Sequence, residues 1–194
     1  MIELSAVPIM PTEKPIGTGG FLDPQMIVEQ FGIKEGMNIV DFGSGAGYFT
    51  IILGQMVGES GKVYALDIQE TALDNVRVKA RAVGLKNIEA IRTNLEVVGS
   101  SGLPDSSQDM VLVVNVLFQS DKKAEIIREA KRVLKDSGRL ILIGWKLGTG
   151  GFGPPEDRRA DENAMRDLIA GEGLVFEKTI DAGQFHYGMI FVKS

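Results

Sequence analysis

The chain has 194 residues and a mass of 21.0 kDa, with 24% charged and 44% hydrophobic residues; this excludes collagen-like, coiled-coil and disordered chains and suits one domain with its own core. Its 21 basic and 26 acidic side chains give a formal charge of −5, so the bulk field that draws a protein onto nucleic acid or an anionic membrane is missing. The chain has no cysteine and a single histidine, His186, which excludes disulfides and thiolate chemistry and argues against a metal site. The longest apolar run, Met110 to Phe118, is broken by Asn115 and is far short of the ~20 residues a membrane helix needs. The N-terminus lacks a basic stretch before an apolar one, so no signal peptide is expected. A soluble, cytoplasmic chain is expected.

Residues 1–20 read as irregular, broken by Pro8, Pro11, Pro15 and Gly17, Gly19 and Gly20. Asp23-Pro24 has the chemistry of a helix start, and a short helix is expected over 24–31, stopped at Gly32. Met37 to Phe42 reads as a first strand, running into Gly43-Ser44-Gly45-Ala46-Gly47. Tyr48 to Val57 follows as an apolar helix. Lys62 to Leu66 is a second strand closing on Asp67. Thr71 and Asp74 have capping-box spacing and are expected to open a third helix ending at Gly84.

Ile88 to Thr93 reads as a third strand. Met110 to Val116 is a continuous, β-branched-rich run, the mark of a strand buried on both faces. Lys122 to Leu134 is an amphipathic helix, with Ile126, Ile127, Ala130, Val133 and Leu134 facing inward. Arg139 to Trp145 is a fifth strand and Asp161 to Ala170 a helix. Leu174 to Ile180 and His186 to Val192 form a terminal antiparallel pair around Ala182-Gly183. The fold class is therefore α/β: a doubly wound, mostly parallel seven-stranded sheet with an antiparallel C-terminal strand. Residues 24–194 form the domain, and residues 1–23 a terminal segment able to act as a lid.

In such a sheet the ligand sits beyond the carboxyl ends of the strands, where strand order reverses. That makes the residues after each strand the ones to weigh. Val40-Asp41-Phe42-Gly43-Ser44-Gly45-Ala46-Gly47 carries three glycines at alternate positions, which let backbone turn sharply and approach a ligand closely. The following helix presents free N–H groups. Asp41, two residues before Gly43, would repel a diphosphate and attract an ammonium group. Asp67, at the end of the second strand, can accept both hydroxyls of a ribose. A ligand with an amino-acid end and a ribose end is implied, and S-adenosylmethionine has both.

On these residues the sequence resembles the class I S-adenosylmethionine-dependent methyltransferases, and within them the ubiquinone/menaquinone-biosynthesis type. The resemblance spans about residues 24–146. It includes Asp41 to Gly47, Asp67-Ile68, Ser107-Gln108-Asp109-Met110, and Arg132 to Leu140. It implies a Rossmann-like fold and S-adenosylmethionine as cofactor. It also implies that Gly43, Ser44, Gly45 and Gly47 line the methionine portion, with Asp41 near the amino group. Asp67 would hold the ribose and Ile68 pack on the adenine. Asn94 and Leu95 would flank the adenine edge, and backbone around Asn115 and Val116 would face the sulfonium. The family usually has an acid where Thr93-Asn94-Leu95-Glu96 offers Asn94, whose amide oxygen accepts the same hydrogen bond without charge.

Asn115-Val116-Leu117-Phe118 keeps only the ends of the Asn-Pro-Pro-Tyr type motif, without its rigid prolines. That argues against N-methylation of adenine or glutamine. Transfer of an activated methyl needs orientation and a dry site, and a base only when the nucleophile holds a proton. No catalytic residue is assigned. His186, on the terminal strand pair, is expected to be far from the cofactor and structural or exposed; Gln119, Glu96 and Tyr48 are the other base candidates. Trp145 to Pro155, rich in glycine and closed by Pro154-Pro155, reads as a second lid or as a plain connector. With Phe21, Trp145 and Phe152 the roof would be aromatic, suiting a small organic or lipid-like acceptor.

Lys122, Lys123, Arg128, Lys131, Arg132, Lys135 and Arg139 cluster near the fourth-strand helix, interleaved with Glu125, Glu129 and Asp136, the pattern of a solvated face. A nucleic-acid partner is therefore not expected; a homodimer is compatible with the sequence. The competing readings are a non-catalytic cofactor-binding subunit, an RNA or protein methyltransferase, and a nicotinamide-dependent oxidoreductase. Against the last stand Asp41 and the absence of a Tyr-x-x-x-Lys pair.

Overall fold

Strand β4 (Gln108–Val114) lies at the middle of the molecule, paired in parallel with β1 (Asn38–Phe42) on one side and β5 (Leu134–Trp145) on the other. The computed structural model describes residues 22–194. Outside β1 lie β2 (Lys62–Asp67) and β3 (Ile88–Arg92), both parallel. Outside β5 lies β7 (His186–Lys193), antiparallel to β5, and then β6 (Leu174–Ile180). The sheet is thus seven-stranded in the order β3-β2-β1-β4-β5-β7-β6, mostly parallel, as the alternation of elements predicts. The chain moves outward from β1 through β3 and then returns to place β4 on the other side of β1. The crossovers on the two sides diverge there and leave a crevice at the carboxyl ends.

Each strand divides its apolar residues between two layers. Val40, Phe42, Val111, Val113, Leu140 and Leu142 pack against α4 (Lys123–Val133) and α5 (Glu162–Gly171). Ile39, Met110, Leu112, Ile141 and Ile143 pack against α1 (Pro24–Val28) and α2 (Tyr48–Val57). The unbroken hydrophobicity of β4 is the sum of these two alternations. Helix α3 (Glu70–Ala82) covers β2 and β3.

Several boundaries differ from the sequence reading. The first helix is α-helical only to Val28 and ends in a 3-10 turn over Glu29–Phe31, with Gly32 at φ +72°. No capping box opens α3. Asp74 binds Arg77 at 2.9 Å instead, and Gln69 takes the N-cap position. Strand β5 begins at Leu134, not Arg139, because Leu134 pairs with Gln108 before an irregularity that Ser137 (φ +62°) accommodates.

The seven basic side chains near α4 are all engaged. Arg128 holds Glu172 through two bonds, Lys135 holds Asp109 and Arg139 holds Glu177. Lys131 and Lys123 donate to the carbonyls of Glu172 and Ser120, and Lys122 lies 3.9 Å from Glu96.

Arg132 belongs to a charged cluster that reaches into the core. Glu129 is fully buried and accepts from Gly99 N–H (2.6 Å), Ser101 Oγ (2.5 Å) and two Arg132 nitrogens (2.8 and 2.9 Å). Burial alone would raise its carboxyl, but the bonds from Arg132, Ser101 and Gly99 hold it at about 2. The cluster pins the loop between β3 and β4. Its stabilisation is present above the carboxylate's unfolded value of 4.5 and is lost as pH falls toward 2. Glu129→Ala should lower the unfolding free energy by about 3 kcal/mol, the lower end for stripping one partner from a buried ion pair, since Arg132 keeps Asp105. Urea unfolding measures this; a change near zero would show that the loop is held elsewhere.

Candidate active site

The loop after β1 is tied to the end of β2. Gly43 and Ser44 both donate their N–H to the Leu66 carbonyl, at 2.8 and 2.9 Å. Gly45 donates to Asp67 Oδ2 at 2.9 Å. The three loop glycines have φ of +71°, +51° and +81°, the left-handed region that glycine favours, but they serve different ends. A Cβ on Gly43 would collide with Val116 Cγ2. A Cβ on Gly45 would meet nothing within 4 Å, so its backbone borders open space. Gly47 caps α2, and a Cβ there would come within 2.8 Å of Val76 on α3.

Two hollows open at this crevice and share Gly43, Gly45, Val114 and Asn115 as a common wall. The larger, about 420 Å³, is bounded by Asp67, Ile68, Asn94, Leu95 and Val116. The smaller, about 220 Å³, is bounded by Asp41, Ser44, Tyr48 and Phe49. Of the ten residues singled out from the sequence, all but Gly47 line one or both. Gly47 lies behind the wall, and its role in this structure is to let α2 and α3 meet. Among the lining residues there is no lysine or arginine. Among the described residues Ser44 Oγ is buried without a partner, and Ile68 is an apolar side chain 56% exposed at the crevice.

A methyltransferase-domain family model matches residues 33–164. The chain belongs to this family. The solved structure of an S-adenosylmethionine-dependent methyltransferase from Aquifex aeolicus aligns over 90% of this chain and 91% of its own, with TM-score 0.82 and 30% identity. The ubiquinone/menaquinone biosynthesis C-methyltransferase of Escherichia fergusonii is 34% identical over 113 residues, which is 58% of this chain and 44% of that protein. The chain thus aligns with less than half the length of such curated relatives. The [4+2]-cyclase SpnF also superimposes (TM-score 0.73, 13% identity, 88% of this chain and 80% of that one); at that identity the likeness concerns architecture alone. The chain is a class I S-adenosylmethionine-dependent methyltransferase, and S-adenosylmethionine is its cofactor. The residues at the crevice fit that cofactor: an open backbone at Gly45, an unpaired Ser44 hydroxyl and carboxylates in both hollows.

In this methyltransferase the two aspartates of the hollows differ in setting. Asp67 is half-buried and accepts from Gly45 and Gln69 N–H, both at 2.9 Å. Asp41 is only 2% exposed and accepts from Thr50 Oγ1 at 2.6 Å. Asn94 turns its Oδ1 back to the Glu96 N–H at 3.0 Å, an arrangement the sequence reading did not foresee. Lys79 also escaped that reading. It donates to the Ala46 carbonyl at 2.7 Å and lies over the Tyr48 ring at 3.9 Å. Its spacing of three from Val76 on α3, both facing the loop, is the signal that could have revealed it.

The expectation that His186 lies far off or exposed is corrected. Strand β7 inserts beside β5, pairing His186 with Trp145. His186 is 1% exposed, its Nε2 is 3.1 Å from Asn115 Nδ2, and its ring meets Trp145 at 4.1 Å between centroids. Of the other base candidates, Gln119 and Glu96 line the larger hollow and Tyr48 the smaller. The segment after Trp145 is an ordered loop built on Arg159. That buried guanidinium donates to the carbonyls of Lys146, Pro154 and Phe152 and to Thr149 Oγ1. Phe21 and the rest of 1–21, the other proposed roof, lie outside the described residues. Among the described residues no helix is long and apolar enough to cross a membrane, and no cluster of acidic and histidine side chains is placed for a metal.

Burial pushes the Asp41 carboxyl up to about 6; Thr50 lowers it and Asp67 raises it further. A raised acid favours folding in its protonated form. Its contribution is complete below the unfolded value of 3.8 and is lost as pH rises through 6. Above pH 6 the ligand-free protein therefore carries a penalty of about 3 kcal/mol, from a shift of roughly two units. Asp41→Asn should stabilise the ligand-free protein by up to that amount at pH 8 and by almost nothing at pH 4. Urea unfolding at the two pH values tests this; equal effects at both would show that Asp41 is not a buried charge.

Proposed function

We propose that this methyltransferase acts on a small organic or lipid-like acceptor. We propose too that Asp41, Gly43, Ser44, Gly45, Asp67, Ile68, Asn94, Leu95 and Asn115 hold its cofactor. The observation that carries the site reading is a pair of confluent hollows lined by three carboxylates (Asp41, Asp67 and Glu96), with no cationic side chain among the described lining residues and a bare backbone between them. Such a wall repels a diphosphate and attracts an ammonium or sulfonium centre. When bound, S-adenosylmethionine supplies a methyl group already activated on sulfur.

The protein's residues then have three tasks. Asp41 and Ser44 receive the amino-acid end, and binding of its ammonium offsets the cost of the buried Asp41 charge. Asp67 has lone pairs left after Gly45 and Gln69 and accepts from the ribose hydroxyls. Ile68 closes on the base beside the already buried Leu95, and covering the exposed part of Ile68 is worth about 1 kcal/mol. Orientation and exclusion of water do the rest.

The acceptor reading draws on two supports. Trp145, Phe152 and Phe185 gather beside the carboxyl end of β5 and the amino end of β7, with Phe152 and Phe185 meeting edge to face. The curated relatives that align are C-methyltransferases of ubiquinone and menaquinone biosynthesis, and a quinone-ring acceptor is the specific form of the proposal.

Calorimetry should detect S-adenosylmethionine binding and no NAD binding. Asp67→Ala should weaken the cofactor by about 1–3 kcal/mol, roughly five- to 150-fold in Kd. An unchanged Kd would remove Asp67 from the ribose. Transfer of labelled methyl into a lipid-quinone extract, absent from a protein or RNA pool, tests the acceptor class.

A further inference from the structure

We propose that His186 is a positioning residue for the cofactor, acting through Asn115 on the wall that the two hollows share. The inference rests on the cofactor reading above and adds a residue that reading does not use.

Asn115 stands in the left-handed region at φ +55°, an uncommon place for a residue with a side chain. Three bonds hold it there. Its N–H donates to the Ile143 carbonyl at 2.9 Å, and its own carbonyl accepts from Gln119 Nε2 at 2.9 Å. The third joins its Nδ2 to His186 Nε2 at 3.1 Å. Nδ2 is a donor, so the imidazole nitrogen facing it accepts, and the ring carries its proton on Nδ1. An imidazolium would set two donors against each other, and the contact would then survive only with the Asn115 amide turned over to present Oδ1.

The surroundings keep the ring neutral. Burial, then the charges of Lys146 and Arg159, hold its pKa down to about 4. Trp145 fixes the ring plane from one side. Among the described residues, neither Nδ1 of His186 nor Oδ1 of Asn115 has a partner, although both are buried. Groups left so are rare in native proteins and cluster where a structure is held for function. The outcome is a turn whose backbone borders both hollows and whose shape depends on one neutral ring.

His186 is the only histidine, so histidine-specific ¹⁵N labelling reads it without assignment. The ring should show one neutral tautomer with its proton on Nδ1. Adding S-adenosylmethionine should shift its resonances. Asn115→Gly tolerates the left-handed turn but removes the amide, so it should raise the Kd at least as much as His186→Leu, and adding His186→Leu to it should cause little further loss. His186→Leu should raise the Kd for S-adenosylmethionine about fivefold or more. His186→Gln, whose amide oxygen also accepts from Nδ2, should recover most of the loss, which a general packing defect would not allow.

Resonances unmoved by a cofactor that calorimetry shows to bind would overturn the inference. So would wild-type affinity in His186→Leu, or equal losses in the Leu and Gln variants. Absence of cofactor binding in the wild-type chain would instead remove the cofactor reading, and the inference with it.

Discussion

The end of β2 governs the site. The Leu66 carbonyl accepts two N–H groups of the loop after β1, and the Asp67 carboxylate accepts a third. These bonds hold Gly43 and Gly45 in conformations that side chains disfavour and keep their backbone against the crevice. The reversal of strand order at β1 and β4 opens that crevice, but an open crevice without the tie would be lined by a loop free to collapse into it. Asp67 therefore belongs to the scaffold before it belongs to any ligand. A change there alters loop and contact together, and Asp67→Asn, which retains an acceptor for Gly45, would separate the two.

Asp41 presents the opposite economy. Strand β1 alternates, and Ile39 beside it is fully buried on the α1–α2 face, so position 41 falls where the core would take another apolar residue. A carboxylate there works against folding above pH 6, and Thr50 relieves only part of the cost. On the proposed cofactor reading, this lost stability is the usual exchange for affinity. The penalty in the empty protein becomes binding free energy for a cation that neutralises the charge.

The architecture was legible because periodicity and punctuation agree along nearly the whole chain. The continuous run of β4, the glycine stops and the Asp23 cap all recur as elements. Boundaries shifted where a side chain found a tertiary partner: Asp74 went to Arg77 rather than to a capping box, and Leu134 paired with Gln108 ahead of the expected strand. The residues bordering the hollows were legible for a topological reason, since a parallel sheet sends everything after its strands to one edge. Gly47 shows the limit of that reasoning. A regular glycine spacing cannot say which member faces a ligand and which faces a neighbouring helix.

Antiparallel insertion was the other limit. In sequence, β6 and β7 form a terminal pair, and nothing local says which of them joins β5. Because β7 does, and runs against it, its first residue rather than its last arrives at the carboxyl edge of the parallel strands. His186 is that residue. The same pairing sets Trp145 on its ring, and Arg159 gathers the following loop beside them. Thus residues far along the chain from the glycine loop back the Asn115 that stands with Gly43 and Gly45 on the wall the two hollows share. Any change in how β7 seats on β5 will be felt at Asn115, 71 positions away.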